Sequence, residues 1–317
     1  MKILKRLLLL VVVLVIVATA VFYWNPIWVA DQMLRHSMRS NGAQEHSVDV
    51  AEGRLKYFEQ PVASGDGVPL VIVHGLGGRK EDFANLMPKL AAQGFHVYVP
   101  DLIGYGESDK PASSDFSIKT EEHVVTEFMD AMHLPHAYII GWSMGGWIAL
   151  RLALDEPQRV DRIAVYDSAG IVFDTTANTD LFAPTDYAGV TRLFRALSPT
   201  LQIPPLFAQR AIIRKLARNR WILDRSMTSM RSGHDIVDFQ LAGMKPPLLI
   251  VFGTADVLTP PSIGETMHKL DPRSTYATVD GCGHFAPVEC SVPVAKATVD
   301  FFKAEPPTVG GEWKLAQ

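Results

Sequence analysis

Short apolar runs and amphipathic stretches alternate along most of this chain, and that alternation leaves few folds open. Pro69-Leu70-Val71-Ile72-Val73 is apolar and rich in β-branched residues, as in a strand buried on both faces of a parallel sheet. Residues 81–93 then carry apolar side chains at helical spacing. Residues 96–100 read as a strand, and 119–132 as a helix with Val124, Val125, Phe128, Met129 and Met132 on one side. A strand at 138–140, a helix at 144–154 and a strand at 162–166 follow. This order predicts an α/β fold: a mostly parallel central sheet with helices on both faces. Between 171 and 243 the alternation stops. Pro184, Pro199, Pro204 and Pro205 separate helix-like pieces near 187–197 and 206–230, which we read as a helical cap inserted over the carboxyl edge of the sheet. The pattern resumes with a strand at 247–252, a helix at 261–270, a strand at 275–279 and a helix at 292–303. Strand-like stretches near 45–51 and 54–60, and a turn at 63–67, come before it. The folded domain is therefore expected over 45–304, with 29–44 as an amphipathic linker. Residues 305–317, which hold Pro306, Pro307, Gly310 and Gly311, read as a loose tail.

Residues 1–28 stand apart. Lys2, Lys5 and Arg6 precede 18 uncharged residues, 7–24. As a helix these rise about 27 Å, close to the hydrocarbon thickness of a bilayer. Phe22, Tyr23, Trp24 and Trp28 fit an interfacial aromatic belt, and the basic end predicts a single span with the rest of the chain on the non-cytoplasmic side. A buried core helix would show polar residues along one face, and this run has no such face. Ala18-Thr19-Ala20 also fits a small-x-small cleavage site, so a cleaved signal and a secreted or periplasmic domain form the rival reading. The apolar and aromatic run continues past that site, which argues for an uncleaved anchor. The net charge of −4 gives no footprint for nucleic acid. Cys282 and Cys290 are too few for a disulfide scaffold or a structural zinc site. They would form one bond only in an oxidising compartment, and two thiols are the expectation.

Gly141-Trp142-Ser143-Met144-Gly145 lies between an expected strand and an expected helix. A sharp strand-to-helix turn there would project the Ser143 hydroxyl from the sheet edge, with Gly141 and Gly145 letting backbones approach. A buried turn serine capping the following helix is the plainer alternative. A serine hydroxyl is a weak nucleophile at neutral pH and needs a base, which in turn needs an orienting carboxylate. His284, in Gly281-Cys282-Gly283-His284, and Asp256, in Gly253-Thr254-Ala255-Asp256, both follow expected strands, where sites on such sheets form. Asp167, at the end of the strand at 162–166, competes with Asp256 for the acid role. Charge developing on a carbonyl oxygen needs backbone N–H donors. Met144, after the serine, would supply one, and Leu76, in His74-Gly75-Leu76-Gly77-Gly78, the other. His74 is expected to hold that loop rather than act as a second base. Side chains and backbone cover every role, so no metal and no organic cofactor is expected.

These motifs, with Asp101-Leu102-Ile103-Gly104-Tyr105-Gly106-Glu107-Ser108 and Gly146, resemble the α/β-hydrolase superfamily from about residue 48 to 303. The resemblance implies a Ser–His–Asp hydrolase and makes the Asp101 segment a structural turn. Within the superfamily the chain looks like membrane-anchored monoacylglycerol lipases and related bacterial lipases. It shares with them the apolar start, the aromatic juncture, Ser168-Ala169-Gly170 and the Cys282-Gly283-His284 loop. Haloalkane dehalogenases and epoxide hydrolases carry Asp where this chain has Ser143. Meta-cleavage C–C bond hydrolases share Ser-Met-Gly-Gly and stay in play, as does a catalytically silent binding protein on the same fold. The implied partner is a small acyl ester or lipid. Within 209–231, Arg210, Arg214, Lys215, Arg218, Arg220, Arg225 and Arg231 face a single acid, Asp224. That run suits either a cap resting on anionic lipid or the solvated face of a lid helix.

Overall fold

Lys2–Trp24 forms one uninterrupted helix, α1, in the computed structural model of the chain. The structure describes residues 2–62, 65–175 and 177–316. Ala63 and Ser64 of the expected turn lie outside these, as do Thr176 of the expected cap and the end residues Met1 and Gln317. With a mean hydropathy of 2.9 and no buried residue, α1 is long and apolar enough to cross a membrane. It ends at Asn25-Pro26, where proline cannot continue the backbone ladder. The Asn25 side chain then accepts from the N–H of Trp28 at 3.3 Å and starts α2 (Pro26–Ser40). The segment expected as a linker is thus mostly helix. It is docked rather than tethered, because Met38 is buried and Arg35 reaches Glu81 and Glu107, each at 2.8 Å.

β1 (Gln44–Val50) and β2 (Gly53–Gln60) form an antiparallel pair. Then come β3 (Val68–Val73), α3 (Met87–Ala91), β4 (Phe95–Pro100), α4 (Ile118–Ala131), β5 (Ala137–Trp142), α5 (Met144–Asp155) and β6 (Val160–Tyr166). The helix expected over 81–93 is reduced to a 3-10 turn, Lys80–Phe83, and the short α3, with Pro88 in its first turn. Among the described residues, three α-helices interrupt the sheet: α6 (Thr179–Phe182), α7 (Tyr187–Leu197) and the long α8 (Leu206–Ser232). β7 (Leu248–Gly253), α9 (Pro261–Leu270), β8 (Thr275–Val279), α10 (Ala286–Glu289), α11 (Ser291–Lys303) and β9 (Glu312–Leu315) complete the chain.

The strands share one sheet in the order β1-β2-β4-β3-β5-β6-β7-β8-β9. β2 pairs antiparallel with β4, and every pair from β4 onward is parallel. Successive strand residues face opposite cores, as the period of two requires. Val71, Ile139, Val165 and Ile250 pack with residues of α4 and α5 on one face, while Leu70, Ile140, Tyr166 and Val251 pack with those of α3 and α11 on the other. The tail expected to be loose carries β9, whose Trp313 and Leu315 are half-buried while Glu312 and Lys314 are exposed. It adds to β8 from Tyr276↔Glu312 to Val279↔Leu315. At the carboxyl ends of β5, β7 and β8 the loops bearing Ser143, Asp256 and His284 leave the sheet.

Candidate active site

β5 ends at Trp142 and α5 begins at Met144, so Ser143 alone makes the turn. Its backbone sits at φ 56°, ψ −119°, a conformation costing a non-glycine residue about 1–3 kcal/mol. Neighbours hold it there. The Ser143 N–H donates to the Tyr166 carbonyl at 2.9 Å, and its own carbonyl accepts from the N–H of Gly146 at 3.0 Å. The turn is tight enough to require its flanking glycines. A Cβ on Gly141 would lie 2.2 Å from the Gly145 oxygen, and one on Gly145 would lie 2.3 Å from the Val73 oxygen.

His284 is buried and stands beside the serine, its Nε2 2.9 Å from Ser143 Oγ. Its Nδ1 lies 2.8 Å from Asp256 Oδ2. The other carboxylate oxygen, Asp256 Oδ1, accepts from the N–H groups of Leu258 and Thr259 at 2.8 and 3.0 Å. Thr259, unnoticed in the sequence, completes the cluster. Its Oγ1 is 2.7 Å from Asp256 Oδ2, 2.9 Å from His284 Nδ1 and 2.9 Å from the Asp167 carbonyl. The spacing signals only that the Asp256 carboxylate can accept from backbone donors just after it, not that the Thr259 hydroxyl reaches the imidazole. Asp167, the competing acid, does not meet the imidazole. Its Oδ1 accepts from the Gly253 N–H at 2.8 Å, and burial, with the negative charge of Asp256, holds its carboxyl well above the usual carboxylate range.

The loop bearing His284 is braced from three sides. Trp142 Nε1 donates to the His284 carbonyl at 2.7 Å. Glu289 accepts from the Gly283 N–H at 2.8 Å and from the hydroxyls of Thr200 and Ser198, tying the loop to the cap. Cys282 and Cys290 form a disulfide, so the expectation of two thiols is corrected. The single turn of α10 brings their Cα atoms to 6.4 Å, within bonding range, a spacing that sequence could not supply.

The His74–Gly78 loop lies against the serine, since a Cβ on Gly75 would come 3.0 Å from the Ser143 Cβ. His74 is fully buried, with Nδ1 2.8 Å from the Gly75 carbonyl and Nε2 accepting from the Leu102 N–H at 3.0 Å. Burial holds its imidazole below the ordinary histidine range, and both ring nitrogens are engaged in holding loops. Leu76 follows Gly75 on this loop. Met144 opens α5, and first-turn N–H groups have no partner inside their helix. A Cβ on Gly77 would lie 3.9 Å from the Leu223 side chain of α8.

The Asp101 segment is a framework. Asp101 accepts from the Lys80 backbone and ammonium at 2.7 and 2.9 Å and from the Glu107 N–H at 2.9 Å. Nearby oxygens of Glu45, Glu81 and Glu107 come within 4.8 Å of one another. The buried Lys80 Nζ lies 3.2–3.5 Å from each, so the protein supplies that cluster's cation itself.

As a chemical device, the Ser143–His284–Asp256 row can pass a hydroxyl proton to an imidazole steadied by a carboxylate, next to a loop and a helix start that present N–H groups. Residues 68–289 match the family model described as alpha/beta hydrolase fold. Lipase 1 of Psychrobacter immobilis is 26% identical over 288 residues, which cover 86% of this chain and 87% of the relative. The 2-hydroxymuconate semialdehyde hydrolase of Pseudomonas sp. (strain CF600) is 27% identical over 75% of this chain and 88% of its own length. Among solved structures, a membrane phospholipase A described as a bacterial virulence factor superposes with a TM-score of 0.79 at 25% identity, covering 94% of this chain and 98% of that one.

Proposed function

The chain belongs to the α/β-hydrolase fold family, and from that premise we propose that it is a serine carboxylic-ester hydrolase acting on lipid-like acyl esters, monoacylglycerol-like or of medium chain length. One observation carries the reading: a strained Ser143 whose hydroxyl sits 2.9 Å from an imidazole that Asp256 holds at 2.8 Å on its far side. His284 takes the proton as Ser143 Oγ attacks the ester carbonyl carbon. The tetrahedral oxyanion receives hydrogen bonds from the backbone N–H groups of Met144 and Leu76. On collapse the carbon–alkoxy bond breaks, the His284 proton goes to the leaving alcohol, and an acyl group remains on Ser143. Water, deprotonated by the same imidazole, then attacks the acyl carbon, and Ser143 leaves with its proton restored.

Lipase relatives support ester chemistry, and α1 supports an anchored enzyme with its catalytic domain on the non-cytoplasmic side. The 2-hydroxymuconate semialdehyde hydrolase relative favours a second reading, a C–C bond hydrolase acting on a dienoic diketone. Turnover of a p-nitrophenyl acyl-ester series, a monoacylglycerol and such a diketone, by wild type and Ser143→Ala, separates the two. The expected result is ester turnover that falls by about 10⁶ in Ser143→Ala. Ester turnover surviving in that variant overturns the mechanism, and diketone turnover exceeding every ester selects the second reading.

A further inference from the structure

Where α1 meets α2, two adjoining hollows share Trp24, Asn25 and Trp28. One, of about 480 Å³, opens between this juncture and α8 and is lined by Arg214, Lys215 and Arg218. The other, of about 450 Å³, runs back along the last turn of α1 past Ala20 and Val21. The first hollow has a surplus of positive charge. Its one acid, Asp31, is already engaged by the Arg79 guanidinium and lies 3.5 Å from Lys215 Nζ. Among the described residues Arg214 and Arg218 have no acidic partner. They stand four apart on α8, hence on one face and one turn from each other. Burial and the nearby Arg79 hold the Lys215 ammonium below the ordinary lysine range, so an anion placed there relieves like-charge repulsion. The second hollow offers apolar wall and two indoles, Trp24 being 81% and Trp28 50% exposed. Cations on one side, a hydrocarbon slot on the other and tryptophans at the boundary reproduce the polarity profile of a lipid at an interface.

We propose that the paired hollows form a binding site for one anionic phospholipid, its phosphate between Arg214, Lys215 and Arg218 and its acyl chain along Ala20 and Val21. The site lies apart from Ser143 and needs no hydrolysis. It rests on the placement of α1 in a membrane given above. The lipid so held would tie the cap helix α8 to the end of α1, reinforcing the ring contacts of Phe22 and Tyr23 with Phe207, at 5.4 and 4.9 Å between centroids.

The test uses the full chain carrying Ser143→Ala, so that no lipid is consumed. It is held in neutral detergent and titrated by native mass spectrometry with phosphatidylglycerol or phosphatidylcholine of the same acyl chains. Phosphatidylglycerol is expected to bind about tenfold more tightly, the size of effect that one or two Lys/Arg contacts to an anionic headgroup produce. Adding R214Q and R218Q should bring it down to the phosphatidylcholine level. The charge-matched pair R192Q and K269Q should leave the preference intact. Equal binding of the two lipids, or a preference that survives R214Q/R218Q, overturns the site. Inorganic phosphate displacing phosphatidylglycerol at equal concentration makes it a site for free phosphate and overturns the lipid assignment. The same spectrum reports the mass of the chain. Absence of residues 1–20 removes the anchor and this site together, whereas an intact chain without the preference removes the site alone.

Discussion

Thr259 touches the carboxylate and the imidazole at once, so its hydroxyl fixes the angle at which Asp256 meets His284. A buried hydrogen bond to a charged group contributes about 1.5–3 kcal/mol. Thr259→Val is therefore expected to lower kcat for a soluble ester by about tenfold or more with KM little changed, while Thr259→Ser keeps the wild-type value. The pH profile of kcat checks the positioning role: in Thr259→Val its acidic limb should move, and in a variant that is merely less stable it should not. Ser143, Asp256 and His284 could be picked from sequence because each is announced locally, by a strand end and by glycines. Thr259 could not, since its hydroxyl reaches the ring only through the particular fold of residues 254–260. Asp167 shows the converse. By chain position it rivals Asp256; the sequence favours Asp256, and the side-chain geometry puts Asp256, not Asp167, against the imidazole.

At the scale of elements, α2, β1 and the 3-10 turn at Lys80–Phe83 are tied by Arg35 and Lys80 to three glutamates. Burial alone would raise the Glu107 carboxyl. The hydrogen bond from Arg35 and the charge of Lys80 outweigh it and hold that group at about 2, below its ordinary value near 4.5. A folded-state value below the unfolded one contributes stability above pH 4.5 that is lost as pH falls toward 2. Urea titrations should accordingly find Glu107→Gln less stable than wild type at pH 7, with the difference closing between pH 4.5 and about 2. Glu107 is 43% exposed, so solvent screening keeps the gap small. The disulfide spans 8 positions around His284, and a loop of that size stabilises by about 2–3 kcal/mol on the chain-entropy account. Cys282→Ser with Cys290→Ser should lower the unfolding free energy by about that amount, measured by urea denaturation. The alternation of strand and helix was legible because apolar periods are local. The pairing of β9 and the bond at Cys282 were not. Both depend on where a distant strand edge or a single helical turn brings the chain, and the prolines and glycines before β9 mask its four alternating residues.

Over the whole molecule the apolar side chains of α1 face outward, Leu8 and Leu9 being 64% exposed, and its last turn packs against Phe207 of α8. Soluble globular surfaces rarely leave so continuous an apolar area to water. A chain lacking residues 2–24 is expected to stay in solution without detergent and to turn over a short-chain soluble ester with unchanged kcat/KM. The full chain should pellet with membranes after an alkaline wash. Loss of soluble-ester turnover on truncation would make α1 part of the folded domain.

Helix α8 has its Phe207 end against α1 and carries Leu223 above the Gly77 loop. The two residues are 16 positions apart, about 24 Å along a stiff rod. Pivoting that rod by some 5° about its Phe207 end swings the far residue through about 2 Å, more than the slack in a close-packed interior. A tilt of the N-terminal helix carried through Phe207 would therefore shift Leu223 against the glycine loop that borders Ser143.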